Sequence, residues 1–572
     1  MNSFFIYTTF KEIKVKHNLT IPSNDKEVSI KTLTTKEGNN YIASNINLNK
    51  LKVKDDDTYI FKMDIGGNLI VNNSELYSKD SWNEIRGFSS FTDSKVIANG
   101  SISMYGVNEE EYGYIIINST VTSGGQIYTS NGGSFIKNSK VESSPLYSNG
   151  YFYIEESDIL CNYFTQQNSA SKTYIKNSTI KVKGAEYYSG QVYFSYPRDG
   201  IYLYDSLTLE NSEFEAGSLY ISNGGMVVKD STIKLIKATE FNSSGNASIY
   251  GGLDSKNSKL LLDGELTFSP EIDSFQSNIE DSEIDVEDFY MYNYQDLKTY
   301  IKKSIITTHG KYSSVIHGEI TFDSCKLNII NGINAYNNFS IINSTGVIKG
   351  MIDAKENMEV KDSIIAFSNE TEFIQYAPLS IKHDLIINNS NIVFDNKKNS
   401  NKAVYIQGDV ILDDKIIPID QEKTKLKLIK LEDDTEARTT CRNCYDEDRP
   451  IYIYAYEDNT FSDYVKLATT KTISFRVRNG TWLDGTKDDI NLDYFYGEKI
   501  EVDSLPEEVK KLLTSKMGEW SVDLNNLDPT KDQEIEFRYN IINPETATNF
   551  ILLTIVVSLT LITIYKTRKK VI

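Results

Sequence analysis

The sequence predicts a mainly β fold: a parallel β-helix, followed by a small α+β module and one transmembrane helix. Three observations predict it. A short phrase recurs along the first two thirds of the chain: an alternating apolar run, then Asn-Ser or Asp-Ser, then a second alternating run. Successive copies stand about 20 residues apart, the period of stacked coils of strand. The chain ends in an uncharged apolar stretch with a basic tail.

The phrase places ten serines at coil corners: Ser74, Ser119, Ser139, Ser178, Ser212, Ser231, Ser324, Ser344, Ser363 and Ser390. Ser119 to Ser139 and Ser324 to Ser344 are 20 residues; Ser212 to Ser231 and Ser344 to Ser363 are 19. The 34 residues from Ser178 to Ser212 imply a missed copy or a loop swelling from one corner. Each coil buries alternate side chains but cannot cover its own core, so neighbours must stack. Asn and Asp tolerate left-handed backbone and suit the sharp corner, where stacked Asn can form a ladder. The Asn-Ser-Thr triplets at Asn118, Asn177 and Asn343 fall in this phase and are read as corners rather than glycosylation sequons. Residues 28–415 have room for about 17 coils at ~4.8 Å each, a rod on the order of 80 Å. Residues 1–27 are expected to be an N-terminal strand or cap.

Composition fits this reading. Acidic residues outnumber basic ones by 80 to 60, for a net charge of −20, which repels nucleic acid. The 38 tyrosines and only 10 prolines favour strands joined by tight corners. Acidic runs at Asp55–Asp57 and Glu109–Glu111 lack the spaced pattern that wraps calcium, so solvated loops are expected. Cys161 and Cys325 sit in strand-like runs and read as small buried side chains. Cys441 and Cys444 form a lone C-x-x-C that can close a local disulfide outside the cell but under-coordinates zinc. No metal or cofactor is expected.

After the solenoid, residues 416–470 are charged and irregular and are expected to cap the last coil. Residues 471–541 read as a compact α+β module: the strand from Ile473, turn chemistry around Trp482, a helix after Leu505 and a strand from Glu534. Trp482 and Trp520 are expected in its core. Residues 542–572 are the anchor. Phe550 to Tyr565 is apolar and uncharged, and Lys566, Arg568, Lys569 and Lys570 follow it. The basic tail belongs on the cytoplasmic side, which leaves everything before the span outside. The first ten residues lack a basic region followed by a sustained apolar one. Export is therefore expected to use an upstream start or the C-terminal segment.

The repeat resembles the parallel β-helix surface proteins of Gram-positive bacteria, which share a fold with pectate-lyase-like proteins. That resemblance implies a right-handed coil. The residues Asn479-Gly-Thr-Trp482-Leu-Asp-Gly485-Thr and Gly518-Glu-Trp520 resemble a small repeat domain found near the C-termini of such proteins. Asn543, Pro544, Glu545, Thr546 and Ala547 stand where a sortase sorting pentapeptide stands in that family. The resemblance implies cleavage after Thr546 and attachment to peptidoglycan. Ala547 replaces the family's glycine and Asn543 its leucine, so a retained membrane anchor is the other outcome.

The β-helix fold also hosts polysaccharide lyases and hydrolases. Before residue 438 the chain has only Arg86 and Arg198, and its four histidines form no motif. Asp281, Asp285, Glu287 and Asp288 are close in sequence but suit corner and loop roles. No catalytic residue is assigned. The expected function is adhesion or surface display toward an extracellular glycan or protein; a polysaccharide-processing enzyme and a passive stalk are the alternatives. An aromatic row on one face would favour adhesion.

Overall fold

The computed structural model describes residues 62–395 with short internal gaps, residues 464–540, strand segments within 9–49, 402–416, 427–430 and 452–455, and residues 557–560. It is a parallel β-solenoid of about 14 turns. A turn is not a fixed 20 residues: equivalent corners lie from 18 to 34 residues apart. At ~4.8 Å per turn the rod is about 70 Å long.

Each turn lays one strand in each of three parallel sheets. In one turn the strands are Leu69–Asn72, Glu75–Ser78 and Trp82–Ile85, and the next turn restarts at Ser89, directly over Leu69. We call these the first, second and third faces. Side chains alternate in and out along each strand, so one inward column of the first face runs Val71, Phe91, Ile116, Ile136, Ile154 and Ile175 on consecutive turns. All six are essentially without solvent contact. Stacking is what buries them, since each side chain sits between its counterparts above and below.

The corner between the first and second faces repeats with one chemistry. A residue in left-handed backbone stands first: Asn73, Asp93, Asn118, Asn138 and Asn177 have φ between 45° and 49°. A buried serine follows. Ser119 donates its backbone N–H to the Ser139 hydroxyl at 3.0 Å, and Ser139 donates its own to Ser157 at 3.1 Å. Each hydroxyl in turn donates to the carbonyl two residues back, as Ser139 does to Lys137 at 2.6 Å. A hydroxyl from the next turn thus satisfies an amide at a bend where the strand ladder is interrupted. The preceding amides form a second ladder, with Asn138 Nδ2 on Asn118 Oδ1 at 2.9 Å and Asn118 Nδ2 on Asp93 Oδ1 at 3.0 Å.

Nine of the expected serines, all but Ser324, occupy the buried position. Ser324 is the left-handed residue instead, with φ 59°, and Cys325 takes the buried place with its thiol on the Ile301 carbonyl at 3.2 Å. The copies missed in the sequence are Ser94, Ser157, Ser258, Ser282 and Ser304.

At the C-terminal end each face closes on an antiparallel strand. Lys415–Ile416 covers the first face, Tyr464–Ala468 the second and Tyr452–Ala455 the third. The direction change leaves no parallel edge for a further turn. A four-stranded sheet then follows, in the order Ile490–Phe495, Thr470–Arg478, Gln533–Tyr539, Gly518–Trp520. The helix Glu507–Leu512 packs Val509 and Leu512 onto it. Trp482 is 1% exposed and donates its indole N–H to the Asp488 carbonyl at 2.9 Å.

Cys441, Cys444 and Asn543–Ala547 lie outside the described residues. Of the apolar segment 550–565 only 557–560 are described, and they are helical. Among the described residues no helix is long and apolar enough to cross a membrane.

Candidate binding face

The outward columns of the three faces differ in chemistry. The second face carries charge, paired from turn to turn: Lys181 meets Glu215 at 2.6 Å and Lys259 meets Glu283 at 2.6 Å. The third face carries rings. Its mid-strand column places Tyr128 beside Tyr147 and Tyr202 beside Tyr220 on adjacent turns. Their centroids are 4.5 Å and 5.1 Å apart, with planes within 30° and 9°. That spacing is the rise of the solenoid, so equivalent rings on adjacent turns stack along the rod.

A second column lies at or just beyond the strand ends. It includes Arg86, Tyr105, Tyr204, Tyr250, Tyr292, His317, Tyr336, Lys355 and Lys382. The ladder persists there, as in Tyr250 N–H to Ile221 O at 2.9 Å and Tyr336 N–H to Ile316 O at 2.8 Å. Arg86 is held between the rings of Tyr41 and Tyr105, at 4.7 Å and 5.0 Å, and pairs with Glu84 at 2.5 Å. His317 stacks on Tyr336 at 3.9 Å, and the Lys355 ammonium lies 3.1 Å from the Tyr336 ring centroid.

Among the described residues the four most exposed aromatic side chains are Trp82, Tyr204, Tyr250 and Tyr312, at 43%, 38%, 43% and 63%. All four lie on the third face or in the turn leading into it. The first face has a stack of its own, Phe135–Tyr153–Tyr174, in which Tyr174 donates to Glu210 at 2.9 Å.

Burial pushes the Tyr147 and Tyr290 phenols up to about 12, with Tyr128 and Asp288 adding to the effect respectively. The phenols therefore remain donors over the whole physiological range. His317 is held below the usual imidazole range by burial and by the Lys355 charge, which keeps it neutral at neutral pH.

The four carboxylates grouped by sequence are not brought to one point. Asp281 is an exposed corner residue at φ 49°, and Asp285 faces out from the second face, 3.1 Å from His309. Asp288 is buried at the start of the third face, and burial together with Glu265 pushes it up to about 6. Among the described residues no group of three His, Cys, Asp or Glu side chains is arranged to hold a metal. Composition alone assigns the tyrosines to no face, yet a local signal is present. Tyr128, Tyr147, Tyr202 and Tyr220 each follow an Ile or Leu that opens a short strand after a Gly- or Ser-containing turn.

Compared with protein-family models, with curated proteins and with solved structures, the chain finds no match.

Proposed function

We propose that this chain is a bacterial cell-surface binding rod, whose third face holds an elongated extracellular ligand while its C-terminus anchors it. The observation that carries the binding half is the placement of Trp82, Tyr204, Tyr250 and Tyr312: the most exposed aromatic side chains among the described residues lie on one face of a three-faced rod or in the turn leading into it. Exposed rings with phenol donors between them suit a ligand that alternates apolar and hydroxylated surface. A passive stalk has no need to gather its most exposed rings on one side.

The anchoring half rests on the sequence. The apolar segment 550–565 with its basic tail is the membrane anchor, and Asn543–Ala547 is the sortase-type motif through which Thr546 would be joined to peptidoglycan. The solenoid then stands outside the cell.

The test is to screen the full chain on arrays of glycans and matrix proteins, with a reducing-sugar release assay in parallel. Specific binding without product supports the reading. Sugar release that survives repurification replaces it with an enzyme, and silence in both assays leaves a stalk.

A further inference from the structure

One end of the aromatic face brings lysines together on adjacent turns beside stacked rings. On the first and second faces several lysines meet glutamates on neighbouring turns, among them Lys137 with Glu155 at 2.8 Å, Lys181 with Glu215 at 2.6 Å and Lys298 with Glu319 at 3.0 Å. On the third face the column Tyr292, His317, Tyr336 continues into Lys355 and Lys382 on the next two turns, with backbone bonds from Lys355 to Ala335 and from Lys382 to Ala354 at 2.9 Å. Neither lysine makes an ion pair among the described residues. Lys355 rests on the Tyr336 ring; nearby Glu356 lies 3.6 Å from His383 and Asp353 is buried. Like charges on adjacent turns are unfavourable unless something compensates them, and this chain, with a net charge of −20, has carboxylates to spare.

We infer that Lys355 and Lys382, together with the His317–Tyr336 stack, form an anion subsite of the third face, and that the ligand is a sulfated glycan. The inference rests on the third face being the binding face. Three features select the ligand class. Every third-face strand here is hydrogen-bonded on both sides, so a peptide finds no open edge to extend. Recognition falls to side chains, and rings flanked by phenol hydroxyls suit sugar rings. Among the described residues the subsite has ammonium groups and no guanidinium: a lysine is a point charge that suits a tetrahedral sulfate, whereas a planar carboxylate is best held by an arginine fork. Arg86, the arginine on this face among the described residues, is at the far end and engaged with Glu84.

The full chain is titrated with heparin, with dextran as the neutral polymer, with a polyuronate and with polyglutamate, each at several salt concentrations. Expected is binding to heparin that weakens with salt, at least about tenfold tighter than to the other three, and at least about tenfold weaker in the Lys355→Gln/Lys382→Gln variant. Both lysines are half-exposed, and an unchanged circular dichroism spectrum and melting temperature in the variant secures the comparison. Equal affinity for dextran, or an unaffected variant, overturns the subsite while leaving the third face as the binding face. A preference for polyuronate or polyglutamate overturns the ligand class. If Tyr250→Ser and Tyr312→Ser leave heparin binding intact as well, the third-face reading itself fails.

Discussion

Ser390 donates its backbone N–H to the hydroxyl of Thr469 at 2.9 Å, across 79 residues of chain, and Thr469 returns its N–H to the Ser390 carbonyl at 2.8 Å. Thr469 thus fills the place that the next corner serine would take. The module that follows is docked on the last turn as a continuation of the ladder. Lys471 reaches the Asn389 side-chain oxygen at 2.5 Å, and Asn391 reaches the Tyr496 carbonyl at 3.0 Å.

Thr469→Val keeps the shape and removes the acceptor, which leaves a buried amide unpaired at a cost of about 1–3 kcal/mol. In a stacked fold the loss is local. Hydrogen exchange is expected to quicken in residues 379–395 and to stay unchanged in residues 89–160. Uniform loss of protection would contradict the docking.

Ser139→Ala acts in the middle of the same ladder. It deprives the Ser119 amide of its acceptor, again with a loss of about 1–3 kcal/mol. Denaturant melts are expected to shift to lower midpoint, with exchange quickened first at Ser119 and its neighbours. A midpoint within error of the parent would show that the hydroxyl ladder contributes nothing net.

Two left-handed corners carry residues poorly suited to them: Glu156 at φ 51° and Lys303 at φ 48°. Left-handed backbone costs such a residue about 1 kcal/mol, less for Asn. Lys303→Asn is therefore expected to stabilise, by roughly 0.5–1 kcal/mol in a chemical melt. Destabilisation would mean that the lysine side chain, 3.8 Å from Glu280, matters more than the backbone.

Asp288 supplies a pH dependence. Burial and Glu265 hold it up to about 6, above the ~3.9 of an unfolded chain. Between those values the folded chain keeps a proton that the unfolded chain releases, so this group's share of stability falls as pH rises from about 4 to about 6. Asp288→Asn is expected to raise the melting temperature at about pH 7 and to leave it nearly unchanged at about pH 4. A gain of equal size at both pH values would remove ionisation as the cause.

The solenoid was legible because its signal is local. Asn118-Ser119 and Asn138-Ser139 state a corner by residue type alone, and the alternation around them states the faces. Glu156-Ser157 and Lys303-Ser304 escape because the left-handed place is held by an atypical residue. Ser324-Cys325 shifts the pattern by one because a thiol stands in for the hydroxyl. Asp93-Ser94 fits both the phrase and the period, 20 residues after Ser74, and was legible, whereas Asn257-Ser258 fits the phrase but follows a turn of 27 residues. The aromatic face was not legible, because its register depends on such turn lengths. Equivalent mid-strand positions run Tyr128, Tyr147, Thr165, Tyr202 and Tyr220, at successive spacings of 19, 18, 37 and 18 residues. The swollen turn before Tyr202 breaks any count made along the sequence, so the rings align only once the strands are paired.

The central claim is that the third face binds. The direct measurement compares the full chain with a Tyr204→Ser/Tyr250→Ser/Tyr312→Ser variant and a second-face control, Lys181→Ala, on the same glycan and matrix-protein arrays. These side chains are exposed, so all three proteins are expected to melt alike. The account predicts that the parent and the control bind the same ligand and that the triple variant loses at least about tenfold in affinity. Undiminished binding by the triple variant, or its loss in the second-face control alone, would contradict it.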